Sequence, residues 1–548
     1  MFKRNRLLLL GFILIATACG KPPDLRANRE AIKAGSAGLN VLVITLDTTR
    51  ADRIGCYGYT RGKTPNIDAL ADAGVLFENA FTPVPLTAAS HASIFTGNFP
   101  PYHGVRTNDE MLLDEPNESL AERLKARGYS TAAFIGAQVL HRNSGMNQGF
   151  DLYEDDFSGK AGAGGEFIPE KPAEAVVQPA MAWLKKNKDK DKPFFLWVHL
   201  FDPHHPYNMP APFRDDFRSS PYDGEIAYSD FWIGKLLETL DEIGEREDTL
   251  VAFLSDHGEG LGEHQEKSHG IFIYDTTLHV PLILSNRKIL PAGARVAAQA
   301  RTIDLVPTVL DLAGAPAPGA VQGQSLLPLI DGVASPPRAL YAESFYANTA
   351  FGWSPLLGLR VGDWKMIQAP RPELYHVGED AGEMKDLFKN RAEEAGRMIK
   401  TLEEWAPTLA REGVSASRAL DSSAREMLNA LGYLTGSRRA SSSQGAGQRV
   451  DPKDRTRIMT AIQGATELSY RRRFKEAAQI LEGLLKEEPE CLKILQLLGE
   501  TLIKTKDYQR AFEIYQKLIK LDREEDGAYV NLGMICLFNK QYEDGQYY

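Results

Sequence analysis

The sequence is poor in cysteine and carries no excess of positive charge. Its four cysteines are too few and too scattered for a disulfide framework or a Cys-rich zinc site. The formal net charge of −10 argues against a general nucleic-acid binder, so no nucleic-acid partner is expected. An anionic substrate would instead need a locally positive pocket. With 548 residues, 43% of them hydrophobic and 25% charged, the chain is expected to form two or three globular domains.

The N-terminus has the pattern of a secretory signal. A basic start is followed by an apolar run from Leu7 that is too short for a comfortable membrane span. The sequence "ATAC" resembles a bacterial lipobox, which predicts a signal peptide over residues 1–19, a lipidated Cys19 and a tether over residues 20–38. We therefore expect an exported protein, lipid-anchored to a bacterial membrane on its periplasmic or cell-surface side. The alternative is an ordinary cleaved signal in which Cys19 is incidental.

Strand-like apolar runs alternate with amphipathic helical patterns over residues 39–337, which predicts an α/β domain around a mostly parallel sheet. Shorter strand-like pieces predict a small β-rich subdomain over residues 338–390. A helical segment (391–435) and a Ser/Gly-rich flexible linker (436–451) follow. The predicted buried strands are "VLVITL" (41–46), "TAAFIG" (131–136), "FFLWVHLF" (194–201), "LVAFLS" (250–255) and "VPLILS" (280–285).

Residues 452–548 contain an internal repeat with a period of 34 residues. This spacing, with small residues where two helices would cross, resembles the tetratricopeptide repeat and implies a possible protein partner. The alternative, generic amphipathic helices, fits poorly with three positions that keep the same register. The third repeat is expected to be incomplete. The repeating positions are Phe474, Tyr508 and Tyr542; Ala465, Gly499 and Gly533; and Ala477, Ala511 and Gly545.

Carboxylates and imidazoles follow three of the predicted strands. Asp47 ends the first of these strands, His204 follows another, and Asp256 and His257 end a third. In open α/β sheets, ligands bind beyond the carboxyl ends of the strands. Their joint placement predicts a site at this edge of the sheet, although each residue alone could be a cap or a solvated turn residue.

Six segments follow one another in the order seen in sulfatases, within the alkaline phosphatase superfamily. They are "NVLVITLDTTRADRIGCYGY", "TPNIDALADAGVLFENAFT", "SHASIFTGNFPPYHGVR", "DPHHPY", "SDHGEGLGEH" and "YDTTLHVPLIL". The resemblance covers about residues 39–390 and is highly specific. It implies an α/β fold of the alkaline-phosphatase-like sandwich type, with a mostly parallel central sheet and a small C-terminal β subdomain, here followed by all-α repeats.

The sequence departs from sulfatases at the nucleophile. Sulfatases carry C-x-P-x-R, whose Cys is oxidised to formylglycine, whereas this chain has Thr87, Ala89 and His91 at the matching positions. Threonine cannot become formylglycine. The usual metal-binding Asp pair is also reduced to Asp47 and Thr48, which removes one anionic ligand.

A threonine at the nucleophile position is still compatible with catalysis. This arrangement resembles that of lipoteichoic acid synthases and of nucleotide pyrophosphatases/phosphodiesterases, which attack phosphorus through a threonine. An alcohol needs activation by a base or a cation near neutral pH. The resemblance implies one divalent metal ion (Mn, Mg, Ca or Zn) held by Asp47, Thr87, Asp256 and His257. The expected function is a metal-dependent hydrolase or phosphotransferase that acts on an anionic ester through a covalent Thr87 intermediate, with phosphoesters favoured over sulfate esters.

Further roles follow from the matched family positions. Leaving-group or catalytic roles are implied for His103, His204 and His269, and substrate-binding roles for His91, Lys267 and Arg106. Two alternatives remain open. One is a sulfate-ester hydrolase that works without formylglycine. The other is an inactive sulfatase-fold scaffold whose repeats bind a partner.

Overall fold

The computed structural model describes residues 25–33, 38–108, 112–157, 170–187, 192–315, 319–334, 336–411, 449–523 and 525–538. The predicted signal peptide with Cys19 and most of the predicted linker lie outside these residues. No helix among the described residues combines the length and apolar content that crossing a bilayer requires.

The strands in chain order are β1 (Asn40–Leu46), β2 (Val75–Phe77), β3 (Ala80–Phe81), β4 (Ser130–Ile135), β5 (Leu152–Glu154), β6 (Phe194–Leu200), β7 (Thr249–Leu254), β8 (His279–Val280), β9 (Leu282–Ser285), β10 (Ala294–Val296), β11 (Ala300–Arg301), β12 (Leu340–Ser344), β13 (Leu356–Val361), β14 (Trp364–Gln368) and β15 (Glu373–His376).

The α-helices are α1 (Leu25–Lys33), α2 (Pro65–Asp72), α3 (Thr87–Thr96), α4 (Pro100–His103), α5 (Leu120–Ala126), α6 (Ala173–Asn187), α7 (Phe213–Asp216), α8 (Pro221–Glu242), α9 (Asp275–Leu278), α10 (Leu305–Leu312), α11 (Leu327–Ile330), α12 (Tyr346–Phe351), α13 (Ala392–Trp405), α14 (Thr456–Tyr470), α15 (Phe474–Glu487), α16 (Leu492–Lys504), α17 (Tyr508–Leu521) and α18 (Asp526–Phe538).

The central sheet is mixed and mostly parallel, as the sequence predicts. Its strand order is β10-β2-β9-β7-β1-β6-β4-β5. Strand β1 lies between β6 and β7 and pairs in parallel with both, whereas β9 runs antiparallel to β2 and β7. The carboxyl ends of β1, β6 and β7 therefore meet at one edge of the sheet, where the polar residues follow.

Both faces of the central sheet are buried, which explains why its long central strands are apolar on both sides and not in alternation. Along β1, Val41 and Val43 enter the apolar cluster on one face, and Leu42 and Ile44 enter the cluster on the other. Helices α3 and α5 contribute to the first cluster, and α6 and α8 to the second. The sheet is thus the middle layer of an α/β/α sandwich.

A second sheet of four antiparallel strands follows the sandwich, in the order β12-β13-β14-β15. It is tied to the sandwich by a buried ionic network around Asp275, at the start of α9. Asp275 pairs with Arg360 of β13 and, at 2.7 Å, with Lys365 of β14. Lys365 also contacts Glu383 at 2.6 Å. Burial by itself raises the pKa of Asp275, but the two cations hold it below its ordinary value.

The C-terminal helices α14 to α18 form antiparallel pairs in the predicted 34-residue register. Helices α15 and α17 begin at the equivalent residues Phe474 and Tyr508. A methyl group added at Gly499 would lie 2.7 Å from the ring of Tyr515, which explains the small residue at this crossing point. The positions Tyr542 and Gly545 lie outside the described residues.

Helix α1 shows that part of the predicted tether is structured. Residues 25–33 form this helix, and Arg29 on it pairs with Asp331 at 2.7 Å. The side-chain amide of Asn28 donates to the carbonyl of Lys288 at 2.7 Å. A polar, Ala-containing segment gives no sequence signal for such docking, because the contacts come from residues far along the chain.

We predict that Asp275→Asn lowers the free energy of unfolding by about 3 kcal/mol, because the change leaves two buried cations without their shared carboxylate. Asp216→Asn is the matched control. Asp216 pairs with Lys63 on the surface at 3.0 Å, and both side chains are at least half exposed. The control should therefore lower the free energy of unfolding by less than about 1 kcal/mol. Urea denaturation measures both. Equal losses would show that the network around Asp275 does not hold the two sheets together.

Candidate active site

The edge of the central sheet brings together Asp47, Asp256 and His257, as the sequence predicts. One ligand atom from each of these buried residues lies within 4.8 Å of the others. Asp47 directly follows β1, and Asp256 and His257 follow β7, so the parallel pairing of the two strands sets this distance. Two carboxylates and an imidazole are ligands for a divalent cation.

Thr87 is the first residue of α3, and its hydroxyl group faces this cluster. Thr87 Oγ1 lies 3.3 Å from His257 Nε2. The residue before it, Leu86, is the N-cap and supplies no side-chain cap, and the backbone N–H of Ala88 donates instead to Asn108 Oδ1 at 2.8 Å. The hydroxyl is therefore not used as a cap. The positive end of the helix dipole faces the same place, which favours a bound anion.

His257 presents a lone pair to the cluster. Its Nδ1 lies 3.0 Å from the carbonyl of Gly258, and a carbonyl can only accept, so Nδ1 carries the proton of the neutral ring. Burial lowers the pKa of His257 to about 3, which favours that neutral form. Nε2, without a proton, lies 3.4 Å from Asp256 Oδ2 and 3.8 Å from Asp47 Oδ1.

The carboxylates of this cluster lack the partners that buried carboxylates normally have. Both side-chain oxygens of Asp47 and Oδ2 of Asp256 are buried with no hydrogen-bond partner among the described residues. Burial raises the pKa of Asp47 and of Asp256 to about 7 in each case. Three unpartnered oxygens and a lone pair that converge in the interior fit a divalent cation, because its charge would compensate all of them.

Thr48 occupies the position of the second acidic ligand expected in sulfatases, and it has another role here. Its backbone N–H donates to Asp256 Oδ1 at 3.2 Å, and its hydroxyl donates to the carbonyl of Pro203 at 3.2 Å. Its φ of 50° is in the left-handed region, which is uncommon for a residue other than glycine. Thr48 therefore orients the Asp256 carboxylate instead of supplying one.

His204 and His269 lie beside the cluster, as predicted. Their ring centroids are 5.1 Å apart, and the ring of His269 lies 4.4 Å from that of His257. His204 Nδ1 donates to the carbonyl of His205 at 2.6 Å. Burial lowers the pKa of His204 well below its ordinary value and that of His269 to about 4. Together with Lys267, both histidines line a cavity next to the cluster.

His91 is placed behind Thr87 and not in this cavity. Its Nδ1 donates to the carbonyl of Thr87 at 2.8 Å, and its Nε2 contacts the hydroxyl of Thr45 at 3.1 Å. The ring packs on Trp197 with centroids 5.4 Å apart, and the residue is fully buried. His91 Nδ1 also lies 3.6 Å from Asp256 Oδ2, so this residue adjoins the cluster from behind Thr87 and does not line the cavity.

His103 and Arg106 are likewise engaged within the fold. His103 Nε2 lies 2.8 Å from Ser93 Oγ, and its Nδ1 accepts from the backbone N–H of Val105 at 3.2 Å. Arg106 forms a two-pronged ion pair with the buried Glu343 and stacks over the ring of Phe345 at 3.9 Å. These contacts do not bring either residue to the cluster.

Two further residues near the cluster were not predicted from the sequence. Glu259 is fully buried, and its Oε1 lies 3.0 Å from His269 Nδ1. His199, inside β6, places Nε2 3.5 Å from Asp47 Oδ2, while its Nδ1 contacts Thr45 Oγ1 at 3.1 Å. His199 lies within an apolar strand, so its sequence suggested only a core residue. For Glu259 the sequence did hold a signal, because this acidic residue lies two positions after the predicted ligand His257.

Comparison with known proteins agrees with this geometry. The sequence model of the sulfatase family matches residues 39–315, about half of the chain. The chain belongs to the sulfatase family. The family is one of ester hydrolases, so the prediction of an ester hydrolase is confirmed at this level. Two further matches lie in the second half of the chain: the C-terminal region of N-sulphoglucosamine sulphohydrolase over residues 262–408, and the tetratricopeptide repeat over residues 470–532.

Individual sulfatases are similar to this chain at 20–30% identity. The chain is 30% identical to the ulvan-active sulfatase of Formosa agariphila over 53% of its own length and 65% of that protein. It is 25% identical to the N-acetylglucosamine-6-O-sulfatase of Bacteroides thetaiotaomicron over 73% and 90% of the two chains. The phosphonate monoester hydrolase of Agrobacterium radiobacter has the same fold, with a TM-score of 0.58 at 21% identity over 70% and 100%.

We predict that this sulfatase binds about one divalent cation per chain and that Asp256→Ala abolishes the binding, because the variant loses one of only three clustered ligand groups. Elemental analysis of the purified protein gives the stoichiometry. Asp202→Asn is the matched control. Asp202 follows β6 in the same way, but its carboxylate accepts from the backbone N–H of Ala173 at 2.8 Å, so the metal should be retained. Metal-free wild-type protein with full ester turnover would contradict the prediction.

Proposed function

We propose that this sulfatase is a metal-dependent hydrolase or phosphotransferase whose nucleophile is Thr87 and whose preferred substrates are phosphate esters. The observation that carries the proposal is the 3.3 Å approach of the Thr87 hydroxyl to His257, at the edge of a buried Asp/Asp/His cluster. The side chains that would hold the cation are Asp47, Asp256 and His257, with Thr87 as a further oxygen ligand. When bound, the cation supplies positive charge that lowers the pKa of the hydroxyl and attracts the ester anion.

Thr87 Oγ1 forms a bond to phosphorus, and the bond between phosphorus and the leaving oxygen breaks. The hydroxyl proton passes in the same step from Oγ1 to the carboxylate of Asp47, whose pKa is raised by burial to about 7. The covalent threonine phosphate is then attacked in line by water or an alcohol, which restores Thr87. Helix α3 fixes Oγ1 because Thr87 is its first residue and His91, one turn later, holds the Thr87 carbonyl at 2.8 Å.

We assign the protonation of the leaving oxygen to His204 and His269. Both line the cavity into which the alcohol part of the ester would extend. Burial favours their neutral forms, but a bound anionic ester opposes this effect because nearby negative charge favours the imidazolium. Lys267 lies on the same wall and adds positive charge for the anion. An imidazole near the leaving oxygen suits proton transfer close to neutral pH.

The identity of the nucleophile favours phosphorus over sulfur. The second hydroxyl of a formylglycine hydrate lets sulfate leave by elimination, and a threonine sulfate has no such exit. A threonine phosphate can be hydrolysed by attack on phosphorus. A sulfate-ester hydrolase is the second candidate, and the names of the similar sulfatases support it. The intact cluster of ligand groups argues against an inactive scaffold.

The proposal has two further parts. The protein is exported and lipid-anchored through Cys19, and its repeats bind a protein partner. The first rests on the N-terminal sequence pattern. The second rests on the match to the tetratricopeptide repeat. An exported enzyme on a membrane surface would meet ester substrates outside the cytoplasm.

We predict that Thr87→Ala lowers turnover by several orders of magnitude without unfolding the protein, because covalent attack is lost while binding and electrostatics remain. Thr96→Ala is the matched control at the other end of the same helix. The Thr96 hydroxyl donates to the carbonyl of Ala92 at 2.7 Å and accepts from the backbone N–H of Asn98 at 3.3 Å. Steady-state kinetics with metal-loaded protein and circular dichroism test both variants. Near wild-type turnover by Thr87→Ala, with contaminating phosphatase removed, would refute the mechanism.

We predict that kcat/KM for 4-nitrophenyl phosphate or bis(4-nitrophenyl) phosphate exceeds that for 4-nitrophenyl sulfate by at least about a hundredfold, roughly 3 kcal/mol of barrier. The shared leaving group makes the comparison one of phosphorus against sulfur. Thr87→Cys should not acquire formylglycine when produced with the maturation enzyme, because Ala89 and His91 replace the recognised Pro and Arg. Equal or higher efficiency on the sulfate would favour the second candidate.

A further inference from the structure

A cavity of about 410 Å³ lies next to the cluster, between the sandwich and the repeats. One side is formed by His204, Lys267 and His269. This volume is within the range of small-molecule sites, which are about 300–1,000 Å³. Because His269 adjoins His257, with ring centroids 4.4 Å apart, and Leu86 next to Thr87 also lines the cavity, an ester held at Thr87 would place its alcohol part in this cavity.

The opposite side of the cavity belongs to the first repeat helix, α14. Gln463, Gly464, Glu467 and Tyr470 line it, and Leu497 of α16 continues the wall. These residues lie more than 190 positions after His269 in the sequence, so the two sides of the cavity come from distant parts of the chain. A site of this kind, between two units of one chain, is a common location for ligand pockets.

Direct contacts fix α14 against the sandwich. Glu467 Oε2 lies 2.9 Å from His205 Nε2, next to the leaving-group candidate His204. The Thr456 hydroxyl contacts Gln265 Oε1 at 2.9 Å, near Lys267. Ile458 and Met459 enter the same apolar cluster as the small sheet. Helix α14 therefore shares a core with the catalytic part, and its distance from the cavity is set by packing.

The chemistry of the wall points to a particular ligand. Gln463 Oε1 is buried with no hydrogen-bond partner among the described residues, although Gln463 lines the cavity. A buried acceptor without a donor is costly, and a hydroxyl group of a ligand would satisfy it. Tyr346 and Phe351 of α12 and Tyr470 add aromatic surface suited to a ring.

We propose that α14 forms one wall of the substrate pocket and selects esters whose alcohol part is a ring that carries hydroxyl groups, such as a sugar. The inference rests on the proposed function, since it assigns the leaving group of the same reaction. It gives the first repeat a role in substrate recognition, which is separate from any partner that the other repeats bind. In this proposal the missing side chain of Gly464 sets the width of the pocket, and Gln463 Oε1 accepts a hydrogen bond from a hydroxyl group of the substrate.

Gly464 allows a test of width. A methyl group added at Gly464 meets no atom within 4 Å, so Gly464→Leu should be accepted by the helix and should extend into the cavity. We compare 4-nitrophenyl and 4-methylumbelliferyl esters, whose leaving groups have similar acidity but one and two rings. The ratio of kcat/KM for the two-ring ester to that for the one-ring ester should fall at least tenfold, mainly through KM.

Gly483→Leu is the matched control for this variant. Gly483 is an exposed glycine of α15 that also has open space around it, so the ratio should stay as in the wild type. An unchanged ratio in Gly464→Leu, with its circular dichroism intact, would overturn the proposal that α14 is a wall of the pocket.

Gln463→Leu tests the hydroxyl group, with glucose 6-phosphate and 4-nitrophenyl phosphate as probes, or with the corresponding sulfates. The efficiency ratio of the sugar ester to the aryl ester should fall about tenfold, because only the sugar loses a hydrogen bond. Gln509→Leu, at an exposed glutamine of α17, should leave the ratio unchanged. Equal losses on both probes would overturn the assignment of a hydroxylated ring.

Failure of the proposed function can be distinguished from failure of the proposed α14 wall. If the wild type turns over none of these esters, the proposed reaction is wrong. Binding of 4-methylumbelliferyl phosphate to Thr87→Ala, followed by its fluorescence, then still measures the pocket. A tenfold weaker affinity in Thr87→Ala/Gly464→Leu, and not in Thr87→Ala/Gly483→Leu, would support the wall in the absence of turnover. Equal affinities in these two double variants would overturn it.

Discussion

Two buried carboxylates, Asp47 and Asp256, face one imidazole lone pair within 4.8 Å, and the rest of the site depends on how their charge is compensated. Three of their four oxygens have no hydrogen-bond partner among the described residues. Like charges so close in a low-dielectric interior cannot both stay ionised without a cation. A bound divalent ion would compensate all of these groups at once. The buried negative charge, which would destabilise the fold without a cation, is therefore what defines the site.

The architecture holds this arrangement in place. Parallel pairing of β1 with β7 sets the separation of the two carboxylates, and both faces of the sheet are covered, so the strand ends cannot move independently. The left-handed backbone of Thr48 directs an N–H group at Asp256. Behind Thr87, His91 and Thr45 continue the hydrogen-bonded support into the core. Rigid support of this kind is what positions a nucleophile for attack.

The repeats change how the chain divides into functional parts. Tetratricopeptide repeats stack on their neighbours, and each unit leaves a face that needs a partner. In this chain the first helix finds that partner in the small sheet, through Ile458, Met459 and Ile462. The same packing brings Gln463 and Gly464 to the cavity beside the histidines. The cavity and the repeat array are therefore continuous.

The sequence alone determined strands β1, β4, β6, β7 and β9 and the 34-residue register, because apolar runs and periodicity are local properties, whereas the short strands β2, β5 and β10 were not predicted. It also placed Asp47, Asp256 and His257 after strands, and the parallel pairing of β1 with β7 brings them together. It also determined the departure at Thr87, which is a matter of residue type. Only the tertiary structure decided where His91, His103 and Arg106 point. All three sit in matched motifs, yet their polar groups are engaged by other residues of the fold: Thr45 and Glu343, which are distant in the chain, and Ser93, ten residues before His103. His199 and the α14 wall likewise depend on contacts between residues distant in the chain, and neither spacing nor composition records such contacts.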